Sequence, residues 1–166
     1  MKLILLRHAK SSWDDLSLSD HDRPLNDRGR GDAQAIGRWL EHEGHTPIQI
    51  TCSTAIRAAE TCEIVCSQMS TPPDVKHISG LYHAGPDRIL REIRKYSDET
   101  LMIVGHNPGF ADIAGMLVTT SPKHAHFHRY PTASTLVLEC GIPRWSDLKL
   151  DTNQVIDFVT PRDLSK

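Results

Sequence analysis

Two arginines and two histidines of the chain stand where a phosphoryl group could be bound and transferred. They are Arg7, His8, Arg57 and His106, and each follows closely on a short apolar run. A guanidinium group matches two oxygens of a phosphate at once. A neutral imidazole offers a nucleophilic nitrogen at pH 7, because its unperturbed pKa is near 6.5. These residue types together are typical of a site for phosphoryl chemistry.

The apolar runs predict the strands that must position these four residues. The predicted strands are Leu3–Leu6, Ile48–Cys52, Val75–Ile78, Leu101–Gly105, Thr132–Cys140 and Val155–Thr160. Between them lie stretches with apolar residues at helical spacing, which begin at Asp27, after Thr54, at Pro86 and at Pro108. Strands separated by helices are typical of an α/β fold of three layers, with helices on both faces of a mostly parallel sheet. The last two strands have no helix between them, so we expect at least one antiparallel strand.

The predicted sheet brings the four residues to one edge. Ligands of open α/β sheets bind outside the carboxyl ends of the strands, and all four residues follow such ends. Helices that begin after Thr54 and after Asn107 add backbone N–H groups and the positive ends of two helix dipoles. Asn107 is predicted to cap the second of these helices, with Pro108 as its first residue. The sequence therefore predicts an anion site at this edge.

Length and composition fit one globular domain over residues 1–166. The chain has a net charge of −2 and a hydrophobic fraction of 39%, which are ordinary values for such a domain. A nucleic-acid binder would show a basic excess, so this class is not expected. The apolar runs are too short for a signal peptide or a membrane helix. The four cysteines show no CxxC spacing, so free thiols and a cytoplasmic location are expected.

Four stretches resemble, in order, the motifs of the histidine phosphatase superfamily. Leu6–Ala9 is similar to its Arg-His-Gly motif, with Ala9 in place of the glycine. Ser53–Thr61 resembles its Ser-x-x-x-Arg-Ala-x-x-Thr helix start, and Val104–Pro108 resembles its second-histidine motif. Asp22–Gly29 resembles the Arg-Pro-Leu-Thr-x-x-Gly stretch of the small SixA-type phosphohistidine phosphatases.

This resemblance implies a phosphoglycerate mutase-like fold and a mechanism. His8 would form a phosphohistidine intermediate, which water then hydrolyses to inorganic phosphate. Arg7, Arg57 and His106 would hold the phosphoryl oxygens, and Arg23 would be a further phosphate contact. The resemblance implies no metal and no cofactor. The implied substrate is a phosphohistidine-containing protein, such as a histidine phosphotransfer domain or a phosphocarrier protein of a signalling system.

Many family members use an acidic residue to protonate the leaving group, and this sequence has no clear counterpart of that residue. The stretch Gly80–Gly85, where it is expected, contains no carboxylate. His83, Asp14 and Asp15 remain open as alternatives. An alkoxide leaves poorly without a proton, whereas an imidazole is protonated near pH 6.5 and leaves as a neutral ring. A site without a dedicated acid is therefore expected to favour N–P bonds over alkyl phosphoesters.

Two other functions are compatible with the sequence. The enzyme could act on small phosphomonoesters or pyrophosphates, or the domain could bind a phosphorylated ligand without catalysis. His124–His128 carries three of the ten histidines. On a strand these three imidazoles would share a face and could bind a metal. On a loop they would be solvated or would help to receive a partner protein.

Overall fold

A computed structural model describes residues 1–165, in which six strands form one mixed sheet with helices around it. The strands are β1 (Lys2–Arg7), β2 (Gln49–Ser53), β3 (Asp74–Ile78), β4 (Thr100–Gly105), β5 (Thr135–Glu139) and β6 (Gln154–Val159). The helices are α1 (Asp27–His42), α2 (Ile56–Cys66), α3 (Pro86–Ile93), α4 (Gly109–Leu117) and α5 (Pro161–Leu164). Within this described part, none of the helices has both the length and the apolar character that a bilayer crossing requires.

The strand order is β3-β2-β4-β1-β5-β6, so β1 lies inside the sheet. Three pairs of neighbouring strands are parallel: β1 with β4, β4 with β2, and β2 with β3. Strand β5 runs antiparallel to both β1 and β6. The prediction of a mostly parallel sheet with at least one antiparallel strand is confirmed. Strand β5 begins only at Thr135, because Ala133 has a φ of 59° and turns the chain before the ladder starts.

The side chains of β1 alternate between the two faces of the sheet. Leu3 and Leu5 are fully buried in the core that includes α3 and α4. Ile4 and Leu6 are fully buried in the core that includes α1 and α2. A strand with apolar residues in every position is the expected result when helices cover both faces. The predicted three-layer α/β architecture is therefore confirmed.

The start of α1 holds the loop that follows β1. The side chain of Asn26 accepts a hydrogen bond from the backbone N–H of Gly29 at 2.8 Å and so caps the helix. A Cβ atom at Gly29 would lie 2.1 Å from the carbonyl oxygen of Lys10. Only glycine fits this position, and it lets the helix pack directly against the backbone just after His8.

Asn107 does not cap α4, so this prediction was wrong. The helix begins at Gly109, after a cis peptide bond between Asn107 and Pro108. The side-chain Nδ2 of Asn107 instead donates hydrogen bonds to the carbonyl oxygens of Arg129 and Tyr130, each at 3.1 Å. The amide side chain therefore ties the end of β4 to the loop before β5.

Candidate functional site

A cavity of about 260 Å³ opens at the carboxyl ends of β1, β2 and β4. The structure brings all five phosphate-site residues of the sequence prediction to this cavity: Arg7, His8, Arg23, Arg57 and His106. It also places His83 and Asp20 there. Because it gathers the residues that the sequence predicts to be catalytic, this cavity is called the catalytic pocket below.

His8 presents an unprotonated nitrogen to the catalytic pocket. Its Nδ1 lies 2.7 Å from the carbonyl oxygen of Ala9. A carbonyl only accepts, so Nδ1 carries the proton and Nε2 keeps its lone pair. Burial lowers the pKa of His8 to about 3, and the charges of Arg57, Arg7 and Arg23 act in the same direction. The imidazole is therefore neutral and nucleophilic at pH 7.

His106 lies beside His8, with 5.0 Å between the ring centroids. Its Nε2 is 2.8 Å from the hydroxyl oxygen of Ser53, which also accepts from the N–H of Ala55. The hydroxyl proton of Ser53 can therefore point to Nε2, which places the ring proton on Nδ1. Within residues 1–165 that buried Nδ1 has no hydrogen-bond partner. A buried N–H without an acceptor is a candidate donor to a bound phosphate oxygen.

Two of the arginines converge on one carboxylate, that of Asp20. Arg57 donates to Asp20 Oδ2 at 3.0 Å and to its backbone carbonyl oxygen. Arg23 donates to Asp20 Oδ1 at 2.9 Å. Further bonds fix the Arg23 guanidinium to Ser11 Oγ at 2.6 Å and to the carbonyl of Ser12 at 3.0 Å. Both side chains are buried, so these forks have fixed orientations toward the pocket.

Arg7 is held by the loop that precedes β5. Its Nη1 donates to the carbonyl oxygen of Tyr130 at 2.8 Å, and the Tyr130 hydroxyl donates to the carbonyl of Leu5 at 2.7 Å. The Nε of Arg7 is buried and has no partner in the described residues. Burial, and then the charge of Arg57, lowers the pKa of Arg7 from its ordinary value of 12.5.

Asp20 is the pocket residue that sequence reasoning missed. Its Oδ2 accepts a hydrogen bond from the hydroxyl of Tyr82 at 2.7 Å. This bond, followed by those from Arg23 and Arg57, holds the pKa of the Asp20 carboxyl well below its usual range. The carboxylate is ionised at pH 7 and has no proton to give. The only sequence signal was its position three residues before Arg23, in a loop with other aspartates.

Of the three open candidates for a general acid, only His83 lines the catalytic pocket. Its Nε2 is 3.7 Å from Asp20 Oδ2, and its side chain is 62% exposed. Asp15 lies outside the pocket, where its Oδ1 accepts from the hydroxyl and the N–H of Ser17. Asp14 is exposed and does not line the pocket either.

Thr61 joins the His8 loop to the Arg57 helix. Its Oγ1 accepts from the backbone N–H of Ala9 at 3.0 Å and donates to the carbonyl oxygen of Arg57 at 2.6 Å. Both contacts are buried, so one hydroxyl sets the spacing between the two parts of the pocket. This explains the threonine at the end of the Ser-x-x-x-Arg-Ala-x-x-Thr stretch.

Comparisons with known proteins agree with this geometry. A family model for the histidine phosphatase superfamily (branch 1) matches residues 3–80. An uncharacterized protein of Mycobacterium leprae is 34% identical over 95% of this chain and 100% of its own length. A structure assigned as phosphohistidine phosphatase SixA from Agrobacterium tumefaciens has a TM-score of 0.79 and 26% identity, over 96% of this chain and 97% of its own. The chain belongs to the histidine phosphatase superfamily, in its SixA-type branch.

A second SixA-type structure extends the comparison. The protein assigned as phosphohistidine phosphatase SixA from Nakamurella multipartitia is 29% identical, with a TM-score of 0.79, over 96% of this chain and 95% of its own. The resemblance noted from the motifs is thus confirmed, together with the phosphoglycerate mutase-like α/β fold. The chain is a phosphatase of this superfamily.

In this histidine phosphatase residues 125–129 form turns, so the segment His124–His128 does not form the strand that would align its three imidazoles. Phe127 is buried and packs against Phe158, with 5.2 Å between the ring centroids, so the middle of the segment lies in the core. His124 Nε2 instead lies 3.1 Å from Asp163 Oδ2. Among residues 1–165, no group of three or more His, Cys, Asp or Glu side chains is arranged to hold a metal ion.

Proposed function

We propose that this phosphatase removes phosphoryl groups from histidine residues of other proteins, through a covalent phosphohistidine on His8. The proposal rests on one observation above the others. His8 keeps a free Nε2 lone pair in a pocket that Arg7, Arg23 and Arg57 make positive, and the only carboxylate lining that pocket in the described residues, Asp20, is ionised. Such a pocket has a nucleophile and anion donors but no carboxylic acid.

In the first step Nε2 of His8 attacks phosphorus in line with the bond that breaks. A new N–P bond forms on His8, and the electron pair of the old bond goes to the leaving nitrogen. Charge in the loose transition state spreads over the equatorial oxygens. Arg7, Arg57 and Nδ1 of His106 bind these oxygens, and Arg23 is the further phosphate contact. Guanidinium groups positioned in advance stabilise this charge without reorganisation.

The leaving group decides the substrate class. When the second nitrogen of a substrate phosphohistidine is protonated, the ring leaves as a neutral imidazole and needs no proton from the enzyme. An alkyl phosphate would leave as an alkoxide and needs an acid. Asp20 cannot supply this proton, since Tyr82 and two arginines keep its pKa low. The pocket therefore favours N–P bonds.

In the second step water hydrolyses the intermediate. The water oxygen forms a new bond to phosphorus, the bond to His8 breaks, and its electron pair returns to Nε2. The water protons leave with inorganic phosphate or pass to solvent. Throughout both steps Nδ1–H keeps its bond to the Ala9 carbonyl, which stabilises the cationic ring of the intermediate. The steps use no metal and no cofactor.

A comparison of substrates tests the proposal. The value of kcat/KM for a phosphohistidine peptide is expected to exceed that for an alkyl phosphate at least about 100-fold, the range that a general acid contributes. His83→Asn serves as the control, because His83 lies at the rim of the pocket and its imidazole is the remaining candidate for a general acid. It is expected to leave this ratio unchanged. A preference for sugar phosphates or pyrophosphates would favour the small-molecule alternative. Phosphate binding with no turnover of any substrate would favour a binding module.

A further inference from the structure

A second cavity, of about 430 Å³, adjoins the catalytic pocket. Its cationic lining comes from Arg7, Arg28, Arg129 and Arg162, with His126 beside them. We name this cavity the arginine cleft. Arg7 and Thr132 line both cavities, so the cleft begins where the catalytic pocket ends.

Two of the arginines of the cleft have no side-chain partner within the described protein. Arg129 and Arg162 are exposed, and no side-chain hydrogen bond or ion pair involves either guanidinium among residues 1–165. Arg28 has only one long contact, 3.5 Å to Asp32. The nearby carboxylate of Asp163 is engaged by Thr160 and His124. The whole chain carries a net charge of −2, so this cluster is a local excess rather than a general one.

The form of the cleft favours an acidic protein surface over a small phosphate. A preorganised site for a small phosphate holds its guanidinium groups in fixed orientations, as Asp20 and Ser11 hold Arg23. The arginines at 129 and 162 are exposed and free to adjust, which is typical of charged residues at the rim of protein interfaces.

Exposed apolar residues beside the catalytic pocket point to the same kind of partner. Trp13 lines the catalytic pocket but is 64% exposed, and it stacks on Arg23 with 3.2 Å from the guanidinium carbon to the ring centroid. Leu16, on the same loop, is 87% exposed. A small molecule held in the catalytic pocket gains little from such a loop, whereas a protein surface can cover it.

We propose that the arginine cleft binds Asp or Glu side chains that lie close to the phosphohistidine of the substrate protein. The proposal rests on the proposed function above. The phosphoryl group occupies the catalytic pocket, the neighbouring carboxylates occupy the cleft, and Arg7 lies between them. Long-range attraction to this patch also raises the rate of encounter with an acidic partner.

Two synthetic peptides and two double variants test this proposal. Each peptide carries one phosphohistidine, flanked by Glu in the first and by Gln in the second. Arg129→Gln/Arg162→Gln removes two positive charges from the cleft without adding a carboxylate near the phosphoryl group. It breaks no side-chain hydrogen bond or ion pair among residues 1–165. The matched control is Arg38→Gln/Arg91→Gln, which has the same net charge. Both of these arginines are exposed and line neither cavity.

Wild-type protein is expected to prefer the Glu peptide about 10-fold in kcat/KM at low salt. The preference should shrink as salt is raised, because screening weakens contacts between exposed charges. The cleft variant should lose the preference for the Glu peptide and still hydrolyse the Gln peptide and phosphoimidazole at the wild-type rate. The control variant should keep the preference. Equal rates for the two peptides in wild type, or an unchanged preference in the cleft variant, would overturn the proposal.

Binding measurements separate this proposal from the function on which it rests. Calorimetry with the unphosphorylated Glu and Gln peptides needs no turnover. Tighter binding of the Glu peptide by wild type, lost in the cleft variant, supports the cleft even if no phosphohistidine is hydrolysed. Turnover of phosphohistidine with no difference between the peptides, in rate or in binding, supports the proposed function and overturns the cleft.

Discussion

His8 and His106 face each other as two buried imidazoles, with ring centroids 5.0 Å apart and planes inclined by 52°. Burial lowers the pKa of each to about 3, and the charge of His8 acts in the same direction on the pKa of His106. Both rings are therefore neutral at pH 7. One can act as the nucleophile and the other as a hydrogen-bond donor without competition for a proton.

The first prediction concerns the charge of these rings in solution. The C–H resonances of His8 and His106, assigned with the two alanine variants, should not titrate between about pH 8 and pH 5, the window in which an unperturbed histidine changes charge. The reason is that desolvation disfavours the imidazolium form. An NMR pH titration measures this directly. A midpoint near pH 6.5 for His8 would show that the ring is not held neutral by its surroundings.

The same pKa values predict how stability depends on pH. Between about pH 6.5 and pH 3 the unfolded chain binds more protons at His8 and His106 than the folded chain does. The free energy of unfolding should therefore fall as the pH falls through this window. His8→Gln should reduce the slope by one proton, about 1.36 kcal/mol per pH unit. Urea unfolding at a series of pH values gives the slope, and an identical slope in the variant would contradict the lowered pKa.

Asp20 competes with phosphate for two guanidinium groups. Asp20→Asn removes the negative charge and keeps one side-chain oxygen, which can accept from Arg23, while Arg57 keeps its bond to the backbone carbonyl of residue 20. Inorganic phosphate should then bind about 10-fold more tightly, since one repulsive charge near the anion is gone. Calorimetry measures the affinity, with Asp15→Asn as the control because that carboxylate lies outside the pocket. Weaker binding by Asp20→Asn would mean that the carboxylate positions the arginines instead.

The hydroxyl of Thr61 is predicted to support both stability and activity. Thr61→Val keeps the shape but leaves the buried N–H of Ala9 without its acceptor, a loss of about 1–3 kcal/mol. The spacing between His8 and Arg57 should relax, so kcat should fall as well. Thr61→Ser is the matched control, because it retains the hydroxyl. Urea unfolding and kcat are the readouts, and a valine variant as stable and as active as the serine variant would refute the role of this bond.

The fold and most of the pocket could be predicted because both depend on strands that are buried on two faces. Such a strand appears in the sequence as an unbroken apolar run, as Leu3–Leu6 does, and the residues after it must lie at the edge of the sheet. This logic placed Arg7, His8, Arg57 and His106 together. Arg23 needed the resemblance to a known family, since no periodicity describes its loop.

The contacts that escaped prediction join residues far apart in the chain. Asp20 is hydrogen-bonded to Tyr82, 62 positions later in the sequence, and Asn107 is hydrogen-bonded to Arg129, 22 positions later. Asn107 has the ordinary chemistry of a helix cap, and only the folded position of the Arg129 and Tyr130 carbonyls turns its amide away from α4. The arginine cleft likewise gathers residues from β1, α1, α5 and the loop before β5, which no local pattern connects.

The covalent intermediate on His8 is the most direct test of the proposed mechanism. Wild-type protein mixed with radioactively labelled phosphoimidazole and quenched rapidly in alkali should carry one acid-labile, alkali-stable phosphoryl group. Peptide mapping should place it on His8, and His8→Ala should show neither label nor turnover. A label on His106, or full turnover by His8→Ala, would contradict the account.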